Sequence, residues 1–144
     1  MQEIIMSELG SILDYTTDIA DAEAPVALPA GDYPAKIVAA EVGTSQSSGK
    51  KRVDVTFRIM PEDFPADYED AESFPDGKDV HAYVSAEDTK AARFRMKKFC
   101  EAIGAAMSSR LDVNDWIGKS AIITIEPDEF EGIERERFKK VEPK

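Results

Sequence analysis

Apolar and polar residues alternate most cleanly between Arg52 and Met60, where Val53, Val55, Phe57 and Ile59 face one way and Arg52, Asp54, Thr56 and Arg58 the other. A period of two over this length predicts a strand with one buried face. Lys78–Ser85 repeats the pattern, with Val80, Ala82 and Val84 inward and Asp79, His81 and Tyr83 outward. Upstream, Pro29 and Gly31 mark a turn, and Tyr33–Val42 reads as a first strand whose Pro34 suits a strand start or an edge. Downstream the period lengthens. Ala92, Met96, Phe99, Ile103 and Ala106 form one helical stripe, which predicts a helix from a capping box at Ser85–Asp88 to about Met107. Lys90, Arg93 and Lys97 share another face of that helix and read as solvated. After a connection carrying Trp116, a core residue by its bulk, Gly118 starts a fourth strand (KSAIITIE). PDEFEG reads as a turn and Ile133–Val141 as a fifth strand.

Residues 1–28 hold a helical period only over their first turns. Ile4, Ile5, Leu9, Ile12 and Leu13 have helical spacing, and the stretch that follows dissolves into acids, threonines and alanines as far as Pro25. This is an acidic N-terminal leader, either a short docking helix on a tether or a disordered segment. The folded domain is residues 29–144, interrupted by an acidic insertion at 61–77 that Pro61 and Gly77 bound.

Three strands, one helix and two strands is the element order of a mainly β fold, the five-stranded oligonucleotide/oligosaccharide-binding (OB-fold, Greek-key) barrel, in which an α-helix between strands 3 and 4 plugs the barrel bottom. A half-open antiparallel sheet with one helix gives the same string.

Charge changes the picture. The 144 residues carry a formal net charge of -11, which argues against indiscriminate nucleic-acid binding, yet the acids and bases are segregated. Residues 1–30 hold six acids and no Lys or Arg, and residues 61–86 eight acids and one base. Residues 31–60 hold five bases against three acids, and 87–110 six against three. Solubility explains the total but not the segregation. The single Cys100 rules out an intramolecular disulfide and points to a reducing, cytoplasmic setting. No apolar run approaches the roughly 18–20 residues of a membrane span.

On the barrel, a ligand lies across the outer faces of strands 2 and 3, clamped by the loops that join strands 1–2 and 4–5. Lys50, Lys51 and Arg52 sit where the polar loop Gly43–Gly49 enters strand 2, and Arg58 and Thr56 lie along its outer face beside His81 and Tyr83. Phe130 tops the second loop, and Arg135, Arg137 and Lys139 alternate along strand 5. Cations that attract phosphates and rings that stack on bases, at about 1–3 kcal/mol per base, are what sequence-tolerant single-strand binding requires. A flexible first loop can close over a strand once it is in place. Each residue has a blander role open to it: Lys50–Arg52 as a solubilised hairpin, Tyr83 as cover for the sheet, His81 as ordinary surface, Phe130 as a plug in the barrel mouth. Arg135, Arg137 and Lys139 alternate with Glu134 and Glu136, so cross-strand ion pairs account for them equally well. The insertion, with Phe64, Tyr68 and Phe74 among its acids, is a flap competing with nucleic acid, a surface that recruits proteins, or a solvated loop.

Catalysis has little support. There is one His and one Cys, no Gly-rich phosphate loop and no Cys/His metal spacing, so no enzyme, cofactor or metal is expected.

LPAGDYPAKIVAAEVGTSQSSGKKRVDVTFRI and WIGKSAIITIEPDEFEGIERERFKKV resemble a family of small phage-encoded proteins found with replication and recombination genes. Its members share a PAGxYxAxI opening, a Ser/Gly/Lys loop before an alternating strand, and a GK strand followed by an acidic turn and a basic strand. The resemblance covers about residues 28–142 and implies a single-stranded-DNA-binding protein with the barrel above. Such proteins commonly end in an acidic tail, whereas this chain ends FKKVEPK, which would move that role to residues 1–27 or 61–76. The expected partners are therefore single-stranded DNA, replication or recombination proteins met through acidic segments, and a second copy of the chain. The competing classes are an acidic DNA mimic that inhibits a host nuclease or defence protein, and a virion structural protein.

Overall fold

The computed structural model describes residues 10–144; the apolar positions Ile4, Ile5 and Leu9 of the expected leader helix lie outside that range. Five strands, β1 (Gly31–Thr44), β2 (Lys51–Ile59), β3 (Lys78–Ser85), β4 (Ser120–Phe130) and β5 (Ile133–Glu142), form one antiparallel sheet in the order β3-β2-β1-β4-β5. The fold is mainly β, with one helix, α1 (Lys90–Ile103), between β3 and β4 among the described residues. The sheet is open rather than a closed barrel, and β3 and β5 are its edges.

β1 organises the sheet. Its first part, Gly31–Lys36, pairs with β4, and Lys36–Thr44 pairs with β2, with a bulge at Val38 between the two stretches. A bulge bends its strand and adds twist, so one long strand serves two neighbours in different directions. Pro34 lies before the β2 pairing begins, where no strand on that side needs its missing N–H.

The alternating residues of β2 and β3 face as their pattern predicts: Val53, Val55, Phe57, Ile59, Val80, Ala82 and Val84 are buried. An aromatic chain ties the layers together. Phe57 stacks on Phe138 of β5 (5.8 Å between centroids, 4° between planes) and meets Phe99 of α1 edge-on at 6.3 Å. Phe99 in turn lies 5.2 Å from Trp116, which is buried as its bulk suggested. Ala92, Phe99 and Ile103 of the helical stripe are buried and Met96 half-buried.

The helix ends differ from expectation. Thr89, not Ser85, is the N-cap, its hydroxyl accepting from Ala92 N at 3.1 Å. Both Ser85 and Thr89 offer a hydroxyl, but Ser85 is still paired to Arg52 in the β2–β3 ladder and cannot adopt the cap position. α1 stops at Ile103 because Gly104 turns left-handed (φ 72°) and caps it, which leaves Ala106 and Met107 outside the helix. The turn expected over PDEFEG is likewise shorter. β4 runs on to Phe130, and the reversal is made by Glu131 and Gly132, both at positive φ (53° and 79°), the two-residue hairpin geometry that matches strand twist.

Residues 10–24 are an exposed arm with one short 3-10 turn, Ile19–Asp21. Ala27 and Leu28 are buried, so the body starts slightly before the expected boundary.

Candidate nucleic-acid interface

Strand register places the outward side chains of β1, β2 and β3 in four rows. They are Gly43–Arg52–Ser85, Glu41–Asp54–Tyr83, Ala39–Thr56–His81 and Lys36–Arg58–Asp79. With about 3.3–3.4 Å per residue along a strand, Arg52 and Arg58 stand roughly 20 Å apart at the two ends of this face.

At one end the Arg52 guanidinium lies 4.0 Å from the Tyr83 ring centroid. Its Nε is 2.7 Å from Asp54 Oδ1 without hydrogen-bond alignment, so the attraction there is purely electrostatic. Tyr83 remains 60% exposed, with the guanidinium against its ring and much of its surface open to solvent. In the middle Thr56 Oγ1 and His81 Nδ1 are 3.2 Å apart. At the far end Arg58 donates to both Asp79 carboxylate oxygens (2.7 and 3.2 Å), which pushes its guanidinium pKa further up.

Lys50 and Lys51 are exposed beside Arg52. The loop before them is tied rather than open: Ser45 N donates to Lys50 O (2.8 Å) and Gly49 N to Ser45 O (2.7 Å).

Beyond Arg58 the face runs into a cavity of about 400 Å³ shared with the start of β5 and the end of the insertion. Arg135 reaches it, its guanidinium 4.7 Å from the Phe130 ring. Phe130 is the last residue of β4, immediately before the Glu131–Gly132 reversal. Gly77 allows the close approach here: a Cβ on it would come 2.6 Å from the Ile59 carbonyl oxygen and 3.0 Å from Arg58 Cγ.

The structure therefore gathers Arg52, Tyr83, His81 and Arg58 on one face, with Lys50 at the loop end beside it, and brings Arg135, which carries Phe130 against it, to the far end; Lys51 is exposed but alternates to the opposite side with Val53. Arg137 and Lys139 do not join them. Both turn to Glu126 of β4, at 3.7 and 3.3 Å, the cross-strand pairing that the Glu/Arg alternation left open. Sequence reasoning missed three participants. Lys36 is exposed opposite Arg58 and makes no ion pair among the described residues; the alternation Tyr33, Ala35, Ile37 inward already put it outside. Asp54 and Asp79 are the partners that neutralise Arg52 and Arg58, and their pairing depends on register.

The insertion is not a free flap. Tyr68 is buried and its hydroxyl donates to the Val26 carbonyl at 2.5 Å, while the Asp70 carboxylate accepts from Val26 N at 2.7 Å. Lys78, first residue of β3, turns inward to Glu136 of β5 (2.5 Å), donates to the Tyr68 hydroxyl (3.2 Å) and lies 4.2 Å from the Phe74 ring centroid. Glu136 also accepts from Leu28 N at 2.8 Å. Burial raises the Tyr68 pKa, with the Lys78 hydrogen bond pulling the other way. Side chains, not a backbone ladder, hold β3 to β5.

Cys100 lies on the buried face of α1, where burial pushes its thiol pKa up and keeps it unreactive. Among the described residues no group of His, Cys, Asp and Glu has metal-ligand geometry, and no helix is long and apolar enough to cross a membrane.

The chain belongs to the family described as protein of unknown function DUF669, whose model matches residues 15–141, most of the arm and, but for the last residue of β5, all five strands. No curated protein matches it.

Proposed function

We propose that this protein binds single-stranded DNA across the outer face of β2 and β3, without catalysis, in phage DNA replication or recombination. The observation that carries the reading is the Arg52–Tyr83 pair. It puts an exposed ring and a guanidinium together at the head of the face, with Lys50 beside it and the cavity lined by Arg58 and Arg135 at its end. Rings stack on bases and cations attract the backbone. The strand order supports an OB-type barrel opened along one seam. Joining β3 to β5 in this order would close it, and the Lys78–Glu136 pair spans that seam.

The face is mixed in charge. Lys36, Arg52 and Arg58 stand among Glu41, Asp54 and Asp79. Phosphates would compete with Asp79 for Arg58 and with Asp54 for Arg52. The Arg58–Asp79 pair is exposed and worth about 0–1 kcal/mol, so that exchange costs little, whereas Arg52 Nε and Asp54 Oδ1 are buried against each other.

Fluorescence anisotropy of a labelled oligothymidine at low and moderate salt tests the reading. Saturable binding that weakens with salt, is weaker for duplex and disappears when Lys50, Lys51, Arg52 and Arg58 are all changed to Ala supports it. No binding at low salt overturns it and turns attention to the exposed acids of the insertion as a protein-binding surface.

A further inference from the structure

Among the described residues two features have no partner, and they match. The first is the arm. Ile12, Leu13, Tyr15 and Ile19 are 65–78% exposed, and the hydrogen bonds of residues 10–24 are all local, such as Ala20 N to Asp18 Oδ1 at 2.9 Å. Scattered surface apolar residues are ordinary, but four large ones within eight positions form a patch that calls for cover. Asp14, Asp18, Asp21 and Glu23 lie among and after them, with no Lys or Arg.

The second feature is a cleft of about 710 Å³ between the β1–β2 hairpin, α1 and the connection that follows it. Val53, Met96 and Leu111 line its interior, and Val42 and Met107 form exposed apolar lips, 58% and 51% accessible. The volume is in the range, about 300–1,000 Å³, of sites that enclose a ligand. At the rim stand Lys51, Lys97 and Arg93 against Glu87 and Asp88; Arg93 is held by Asp88 at 2.5 Å, while Lys51 and Lys97 make no ion pair among the described residues.

We propose that the arm of one copy docks in this cleft of a second copy. Ile12, Leu13, Tyr15 and Ile19 lie exposed on their own chain, so the cover they lack is not their own cleft. Their apolar side chains suit its interior, and the acids between them face Lys51 and Lys97. Because arm and cleft are different surfaces, two copies that exchange arms close a dimer, and a one-way contact adds copies head to tail.

Sedimentation velocity of the full chain from micromolar to submillimolar concentration tests this. The mass should rise from 15.9 kDa to at least twice that. An arm variant (I12S, L13S and I19S together) and a cleft variant (V42D and M107D together) should each weaken association about tenfold or more. Every substituted side chain is exposed, so both variants fold, as unchanged circular dichroism would record. Mixing the two should restore a 1:1 complex, since the cleft variant keeps an intact arm and the arm variant an intact cleft. A chain that stays monomeric throughout, an assembly indifferent to the arm variant, or a mixture that stays monomeric would each overturn the proposal.

Discussion

Two clusters in this protein are built from the same parts. On the outer face, Arg52 with Asp54 and Tyr83, and Arg58 with Asp79, combine cations, carboxylates and a ring. At the β3–β5 seam, Lys78 with Glu136, Tyr68 and Phe74 does so again. The difference is water. The Arg58 and Asp79 side chains are 37% and 39% accessible, those of Lys78 and Glu136 only 9% and 6%. An exposed pair can trade partners with solvent or a ligand, which makes it useful for binding. A buried pair cannot lose one member without stranding the other, which makes it a structural lock.

Breaking the lock should have the largest effect. Lys78→Met leaves Glu136 buried with its Leu28 N–H but no cation, and a lone buried charge costs about 3–5 kcal/mol. Chemical denaturation should show that loss, together with faster proteolysis of the insertion, which Lys78 holds through Tyr68 and Phe74. A change below about 1 kcal/mol would mean the seam is wetter than its burial indicates and would erase the comparison.

The outer face should respond the other way round. Tyr83→Ala should leave stability within about 0.5 kcal/mol and weaken oligothymidine binding by about 1–3 kcal/mol, the value of one stacked base. Anisotropy paired with thermal melting separates the two readouts. Asp79→Asn sharpens the point further. It frees Arg58 for phosphate, so affinity should rise a few-fold and the salt dependence should steepen by up to about one phosphate contact; the lost exposed pair is worth about 0–1 kcal/mol of stability.

The smallest effect concerns the hairpin tip at the end of the exposed face. Glu131 holds φ 53°, a left-handed conformation in which Asn is more at ease. Glu131→Asn should stabilise the hairpin by about 0.5–1 kcal/mol and, by removing a carboxylate near Phe130 and Arg135, strengthen binding slightly. Equilibrium denaturation and the same anisotropy titration would record both.

Much of this was legible in the sequence. The alternation in β2 and β3 determined which side chains point into the core and which form the face, because a strand's two-residue period is a local property of the backbone. The apolar stripe located α1, and the mix of cations with Tyr83 located the candidate interface. Element ends were less legible. Ser85 and Thr89 are both competent caps, and only the length of the β2–β3 ladder decides between them.

What tertiary structure alone decided is how charges pair and where edges meet. Lys78 sits at an inward position of its strand, but nothing nearby in the sequence says that a carboxylate 58 positions later will be waiting there. The same holds for Asp79 beside Arg58, Glu126 between Arg137 and Lys139, and the acidic insertion, which its composition presents as solvated and which Tyr68 and Lys78 instead bind to the seam. A side chain's direction follows from its own backbone, whereas the worth of its charge depends on the water and the partners that distant segments remove or supply. The period of the chain therefore set the faces of this sheet, and the meeting of β3, β5 and the insertion determined which of its ion pairs hold the fold and which remain open to a ligand.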